Sequence, residues 1–242
     1  MPEPIENSLT MKIDKSCTII VKDPKTVLEY ELKDGEYSVL VFNDCKEGLN
    51  LKETGTISNS KVHICYLELN PYDLVQNAKI NIMSKSELLI DSTYLGTMRK
   101  QVIFDLTNAE SDSDVNIRNN IVCLDDSDFS LDCIGNISKG AKRSKCHQKS
   151  HCLTIGNPKK ARVLPVLNIN ENDVEASHSL SSGTIDEDVL FYMNSRGLTK
   201  NESLQLLLVS YLMPSEDFYK DFPDGTLIKD LAEKKVEKAC LM

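Results

Sequence analysis

Between about Met11 and Ile169 the chain is a succession of short β-favouring runs, with no long amphipathic helix between any two of them. The runs are Cys17–Val21, Tyr37–Phe42, Lys61–Leu69, Ala78–Ile82, Glu87–Ile90, Gln101–Leu106, Asp114–Ile117, Ser130–Ile134 and Val163–Ile169. β-Branched residues and Leu dominate them, and several alternate apolar with polar, as a half-buried strand requires. Strands in series without interleaved helices argue against a βαβ fold and for an all-β body. A sandwich, a barrel and a β-helix all remain open on this pattern. The spacing between runs, often about 15 to 25 residues, is compatible with the stacked coils of a β-solenoid.

From about Asp186 the texture changes. Val189, Leu190 and Met193 share one helical face behind an acidic first turn, with Thr184 as the expected N-cap and Glu187 at the capping-box position. Gly197 is placed to stop that helix after Arg196. Thr199 and Glu202 repeat the capping-box spacing and open a second helix, in which Leu204, Leu207, Leu208, Tyr211 and Leu212 recur at helical intervals until Pro214. A third, amphipathic helix is expected from Thr226, with Leu227, Ile228, Leu231 and Val236 as its apolar positions. The layout is thus a β domain over 1–183 and a C-terminal helical domain over 184–242. The leucine-rich second helix must pack on the body, on its sister helices or on a partner.

The chain has 242 residues, 40% of them apolar, which suffices for a sizeable core. Its net charge is −9, so it has no generic attraction for phosphate backbones, and no nucleic-acid partner is expected. The basic stretch Lys139–Lys145 reads as a solvated loop. The proline-broken, acidic N-terminus lacks the pattern of a secretory signal. The longest apolar stretch, Leu204–Met213, is far short of the roughly 20 residues that span a bilayer. The expectation is a soluble, cytoplasmic protein without membrane contact. The eight cysteines form no Cys-x-x-Cys pair, and in a reducing compartment most read as small core side chains. Cys146, His147, His151 and Cys152 place four metal-capable groups within seven residues, at a spacing that fits no usual zinc site. They stand as weak metal candidates. No nucleophile-elbow, Walker A, Rossmann or zinc-protease motif is present, so the chain reads as non-catalytic.

Asp173–His178, followed by Gly183–Glu187 and Leu190–Leu198, resembles the SufB/SufD family of iron–sulfur cluster assembly scaffolds, and the Ser-His pair and the Phe-Tyr-x-x-Ser-Arg-Gly stretch favour its SufD branch. Leu153–Gly156, Ala161 and Pro165–Ile169 extend the likeness upstream. The chain departs from the pattern after His178, where Ser179–Ser181 replaces Gly-Ala-Thr, and it is much shorter than typical members. The resemblance implies a right-handed parallel β-helix with a small C-terminal helical domain. It implies pairing with a SufB-type paralogue through the end of the β-helix, and docking of a SufC-type ATPase on the helical domain. It implies that an iron–sulfur cluster is held transiently in the complex, with no cofactor bound stably by this chain.

His178 is then expected near the paired interface as a cluster or interface residue, with Glu175 just before it on the same strand face as a supporting partner. Leu190, Phe191, Arg196, Leu204, Leu207, Leu208 and Tyr211 are the candidates for ATPase docking. A homodimer of this chain alone, a self-assembling structural solenoid and a β-helix carbohydrate-active enzyme are the alternatives.

Overall fold

A computed structural model describes residues 9–185, 187–213, 219–220 and 222–239. The strands are β1 Leu9–Ile13, β2 Cys17–Val21, β3 Lys25–Lys33, β4 Glu36–Asn43, β5 Leu49–Ser58, β6 Lys61–Glu68 and β7 Leu74–Ile82. They continue as β8 Glu87–Gly96, β9 Arg99–Asn108, β10 Asp114–Cys123, β11 Asp128–Ile137, β12 Lys145–Thr154, β13 Lys160–Ile169 and β14 Glu175–Thr184. Helices α1 Glu187–Ser195, α2 Lys200–Leu212 and α3 Gly225–Ala239 follow.

Odd-numbered strands form one seven-stranded sheet and even-numbered strands the other, in order, and every pairing is parallel. Successive strands therefore cross from sheet to sheet, and the chain winds as a parallel β-helix of about six turns. Cys17 lies opposite Val39 and Lys145 opposite Glu175, so the coil lengthens from 22 to 30 residues along the even sheet. One coil thus spans two of the runs seen in the sequence. Left-handed residues recur at the corner from odd to even strand: Asp34, Asn59, Lys85, Asp112 and Arg143 all have φ between 47° and 59°. Stacked corners tie one coil to the next, as where Asn59 Nδ2 donates to Asp34 Oδ1 at 2.7 Å.

Inward-facing side chains of both sheets build an aliphatic and aromatic lumen, including Leu28, Ile57, Ile64, Ile90, Phe104, Ile117 and Phe129. Polar groups are also enclosed, two of them in built hydrogen-bond networks. Glu53 accepts from the Tyr30 and Tyr66 hydroxyls at 2.7 Å and from Gln76 Nε2 at 2.9 Å. Burial nevertheless raises its carboxyl above the usual range. Gly55, two residues on, is required by space, because a Cβ there would lie 2.5 Å from Tyr30 Cβ and Tyr30 O. Lys100 and Glu68 form an enclosed ion pair at 2.6 Å, with side chains 0% and 5% exposed.

The outer face of the even sheet carries a second core. Leu40, Phe42, Cys65, Leu67, Leu69, Leu95 and Val122 pack against Leu208, Leu212, Tyr219, Phe222, Ile228, Ala232 and Val236. The helices are therefore built onto the solenoid. Lys235 of α3 completes the seam, donating to Asn43 O at 2.7 Å and to Asn70 Oδ1, pairing with Asp44 at 3.2 Å, and lying 4.8 Å from the Phe42 ring centroid.

The helix termini follow the sequence closely, with one correction. The Thr199–Glu202 capping box opens α2 as expected. After α1, Gly197 takes φ +97°, its N–H bonding Asn194 O and that of Leu198 bonding Met193 O, a Schellman stop. Thr184, however, is the last residue of β14, and α1 begins three residues later. Pro214 and Cys240 lie outside the described residues.

On the outer face of the even sheet, Asp91 accepts from His63 Nε2 at 2.8 Å and from Arg118 Nε and Nη2 at 2.6 Å. Burial pushes its carboxyl up, but these hydrogen bonds outweigh it and hold it below the usual aspartate range. A carboxylate lowered by folding stabilises the folded state above its unfolded pKa, and that contribution is lost as pH falls through the folded value. Asp91→Asn is thus expected to lower the urea midpoint near neutrality. The gap from the parent protein should narrow once pH falls below about 4.

Candidate functional site at the open end of the solenoid

Among the described residues the last coil is left uncovered. Among the described residues β13 pairs only with β11, and β14 only with β12, so both sheets end in a strand with one unpaired row of N–H and C=O groups. Leu164, Ile169 and Leu180 are exposed on these two strands. An open edge carrying apolar side chains is a template for pairing with another chain.

Contacts fix which way β14 faces. Glu175 pairs with Lys145 at 3.1 Å, Ser177 Oγ meets His147 Nδ1 at 2.7 Å, and Ser181 Oγ meets His151 Nδ1, all on the outer face. Ala176 packs against the lumen cluster, so His178, Leu180 and Ser182 face the lumen side of the terminal coil. His178 lies opposite Gln148 in register and is exposed because no further coil covers it.

This geometry corrects the pairing expected of Glu175 with His178. The two residues are three apart, and a strand has a period of two, so they point to opposite faces. Glu175 is instead engaged with Lys145.

The Cys146, His147, His151 and Cys152 group is likewise divided. All four lie on β12, where the two cysteines are buried in the lumen and the two histidines stand on the outer face. His147 and His151 are four residues apart along a strand, about 13 Å. Among the described residues no group of three or more metal-capable side chains converges. Burial pushes the Cys146 thiol up to about 12, away from the thiolate a metal would need. Cys152 differs: a hydrogen bond from the Cys123 thiol holds it below the usual range, and it lines a cavity of about 540 Å³ between β13 and β14 with Val163, Leu180 and Ser182.

The helical candidates separate by burial. Leu208 belongs to the seam with the solenoid, and Leu190, Leu204 and Leu207 are half-buried. Phe191 is 74% exposed and Tyr192 59%; Arg196 and Tyr211 are exposed too, with the Arg196 guanidinium 5.2 Å from the Tyr192 ring centroid. Val189 and Leu206 extend the exposed apolar surface of α1 and α2. Sequence reasoning missed Gln148, Lys100 and Lys235. Alternation along β12 was the only signal for the first; nothing local marks the other two.

These features define a two-sheet parallel β-solenoid with an open terminal coil and a helical segment packed on one sheet. Residues 46–211 match the family described as SUF system FeS cluster assembly, SufBD core domain, and the chain belongs to that family. It is 36% identical over 81 residues to the iron–sulfur cluster assembly protein SufD of Bacillus subtilis, covering 34% of this chain and 18% of that protein. Over 89 residues it is 32% identical to an iron–sulfur cluster assembly SufBD family protein of Pyrococcus horikoshii, covering 37% and 19%. The SufD protein of Escherichia coli is 24% identical over 86 residues, covering 36% and 20%. The chain thus matches about a fifth or less of the length of these relatives. Among the described residues no helix is long and apolar enough to cross a membrane.

Proposed function

We propose that this chain is a non-catalytic, SufD-like scaffold subunit for iron–sulfur cluster assembly. In this reading it pairs with a SufB-type paralogue through the terminal coil and docks a SufC-type ATPase, which supplies the ATP hydrolysis, on the exposed face of α1 and α2. The open end of the solenoid carries the reading: two unpaired edge strands at one terminus, with His178 facing the space a partner's coil would close. The cluster is cargo, held transiently where the two solenoids meet, and imidazole is a suitable ligand for its iron. The exposed Phe191, Tyr192, Arg196 and Tyr211 are the aromatic and cationic side chains that commonly anchor protein interfaces. A cytoplasmic setting goes with this role.

The test is co-expression of the tagged chain with the SufB-type and SufC-type proteins of the same genome, followed by native mass spectrometry. Both partners should co-purify. Leu164→Lys combined with Leu180→Lys should release the paralogue and keep the ATPase, and Phe191→Glu combined with Tyr192→Glu should do the reverse. A chain that comes through alone, as a discrete homodimer or a polymer, would overturn the assignment and leave the solenoid surface as the place to seek function. Within an intact complex, His178→Ala should lower the iron and sulfide retained after reconstitution; unchanged content would remove His178 from the cluster site.

A further inference from the structure

We propose that Gln148 is the positioning residue for His178: its side-chain carbonyl accepts a ring N–H of His178, leaving the other ring nitrogen free to bind. This rests on the scaffold reading of His178 for its purpose, and on the terminal coil alone for its geometry.

Gln148 is 3% exposed, and its Oε1 is buried without a hydrogen-bond partner among the described residues. Buried amide oxygens are rarely left so, because nothing replaces the water they lose. Its orientation is fixed from the other side, since Nε2 donates to Val166 O at 3.1 Å. Turning the amide over would set Oε1 against the Val166 carbonyl, so Oε1 must face elsewhere. Space has been made for this arrangement across the lumen. A Cβ on Gly135 of β11 would come within 2.5 Å of Cys146 Sγ and 2.9 Å of Gln148 Nε2. Only a residue without a side chain lets the amide sit there.

The neighbour one strand further out, opposite in register and on the same face, is His178. Register partners in a sheet lie about 4.8 Å apart, within reach of one side-chain hydrogen bond. A neutral imidazole carries one N–H donor and one acceptor nitrogen. Giving the donor to Oε1 satisfies the buried oxygen, selects one tautomer, and directs the unprotonated nitrogen toward the open mouth of the coil. A metal-binding histidine is commonly held through its second nitrogen in this way. The other outward neighbours of Gln148 on β14, Ala176 and Leu180, have no side-chain donor to offer.

The test is long-range proton–nitrogen NMR of the full chain labelled with ¹⁵N-histidine, at about pH 8.5 where imidazoles are neutral. The chain has four histidines, so loss of one signal set in His178→Ala assigns the residue. One tautomer should dominate in the parent chain. In Gln148→Leu the ratio of the two tautomers should shift by about fivefold, the weight of one ordinary hydrogen bond. Gln148→Glu, which as a buried neutral acid keeps an acceptor oxygen, should restore the parent ratio. Equal ratios in parent and Gln148→Leu would overturn the proposal. Should Gln148→Leu fail to fold, the parent chain decides: a ring N–H of His178 protected from solvent exchange supports the bond, and a freely exchanging one refutes it. The reading of His178 as a cluster-site residue fails separately, through unchanged iron and sulfide in the His178→Ala complex, whatever the tautomer ratio shows.

Discussion

Lys100→Met is expected to destabilise the folded chain by about 3–5 kcal/mol, because it leaves the Glu68 carboxylate enclosed without its cation. Lys100 Nζ meets Glu68 Oε1 at 2.6 Å and also donates to Asn70 O at 2.9 Å and Tyr72 O at 3.2 Å. Glu68 in turn accepts from Asn43 Nδ2 at 2.6 Å. All three Lys100 protons and both Glu68 oxygens are thus occupied, which is the condition under which an enclosed pair is tolerated at all. Adding Glu68→Gln to Lys100→Met should recover much of the loss, since no charge then remains buried, and the two substitutions should be clearly non-additive. Urea unfolding followed by both circular dichroism and tyrosine fluorescence is the measurement. A loss below about 1 kcal/mol for Lys100→Met, as for an exposed pair, would show that water reaches this corner in solution.

Ending the chain at Thr184 is expected to abolish recovery of soluble monomer. The helices cover seven apolar side chains on the outside of the even sheet, among them Phe42, Leu67, Leu95 and Val122. Exposing each forfeits about 1.5–3 kcal/mol of burial and bares one contiguous patch of the kind that aggregates. Size-exclusion chromatography and binding of a hydrophobic dye would read this; a dye-silent monomer with unchanged β signal would show the solenoid to be self-sufficient. The same seam explains why partner docking is better tested by Phe191 and Tyr192 substitutions than by truncation, since removing the helices damages the β body as well.

Much of this fold was legible along the chain. The absence of helices between the runs, the capping box at Thr199 and Glu202, and the glycine at 197 are local signals, and the structure uses them as local chemistry dictates. Two of the strands that sequence reasoning passed over, β5 and β12, carry a charged or amide residue at an inward position, Glu53 and Gln148. β5 reads as a break because Glu53 and Gly55 sit where core residues belong. Only the enclosed hydroxyls of Tyr30 and Tyr66, brought from the neighbouring coil and the opposite sheet, make a carboxylate acceptable there. Lys100 had the same fate, appearing as part of a polar link before Gln101 when it is, like Glu53, fully enclosed in the lumen. One signal was available and unused: β4 and β6 end in continuous apolar stretches rather than alternating ones, the mark of a strand covered on both faces.

The site divides along the same line. That the chain is a β body followed by helices, and that His178 stands in a stretch like that of the SufB/SufD family, followed from residue type and spacing. Which way each strand residue faces, and what lies beside it some 30 positions away, followed from register alone. Register put Glu175 on Lys145, separated the cysteines from the histidines of β12, and set His178 over Gln148. Alternation and capping are written into adjacent residues because they depend on backbone geometry over a few positions. The pairing of one coil with the next depends on lumen packing and on corners that add residues from coil to coil, so only the assembled solenoid decides it.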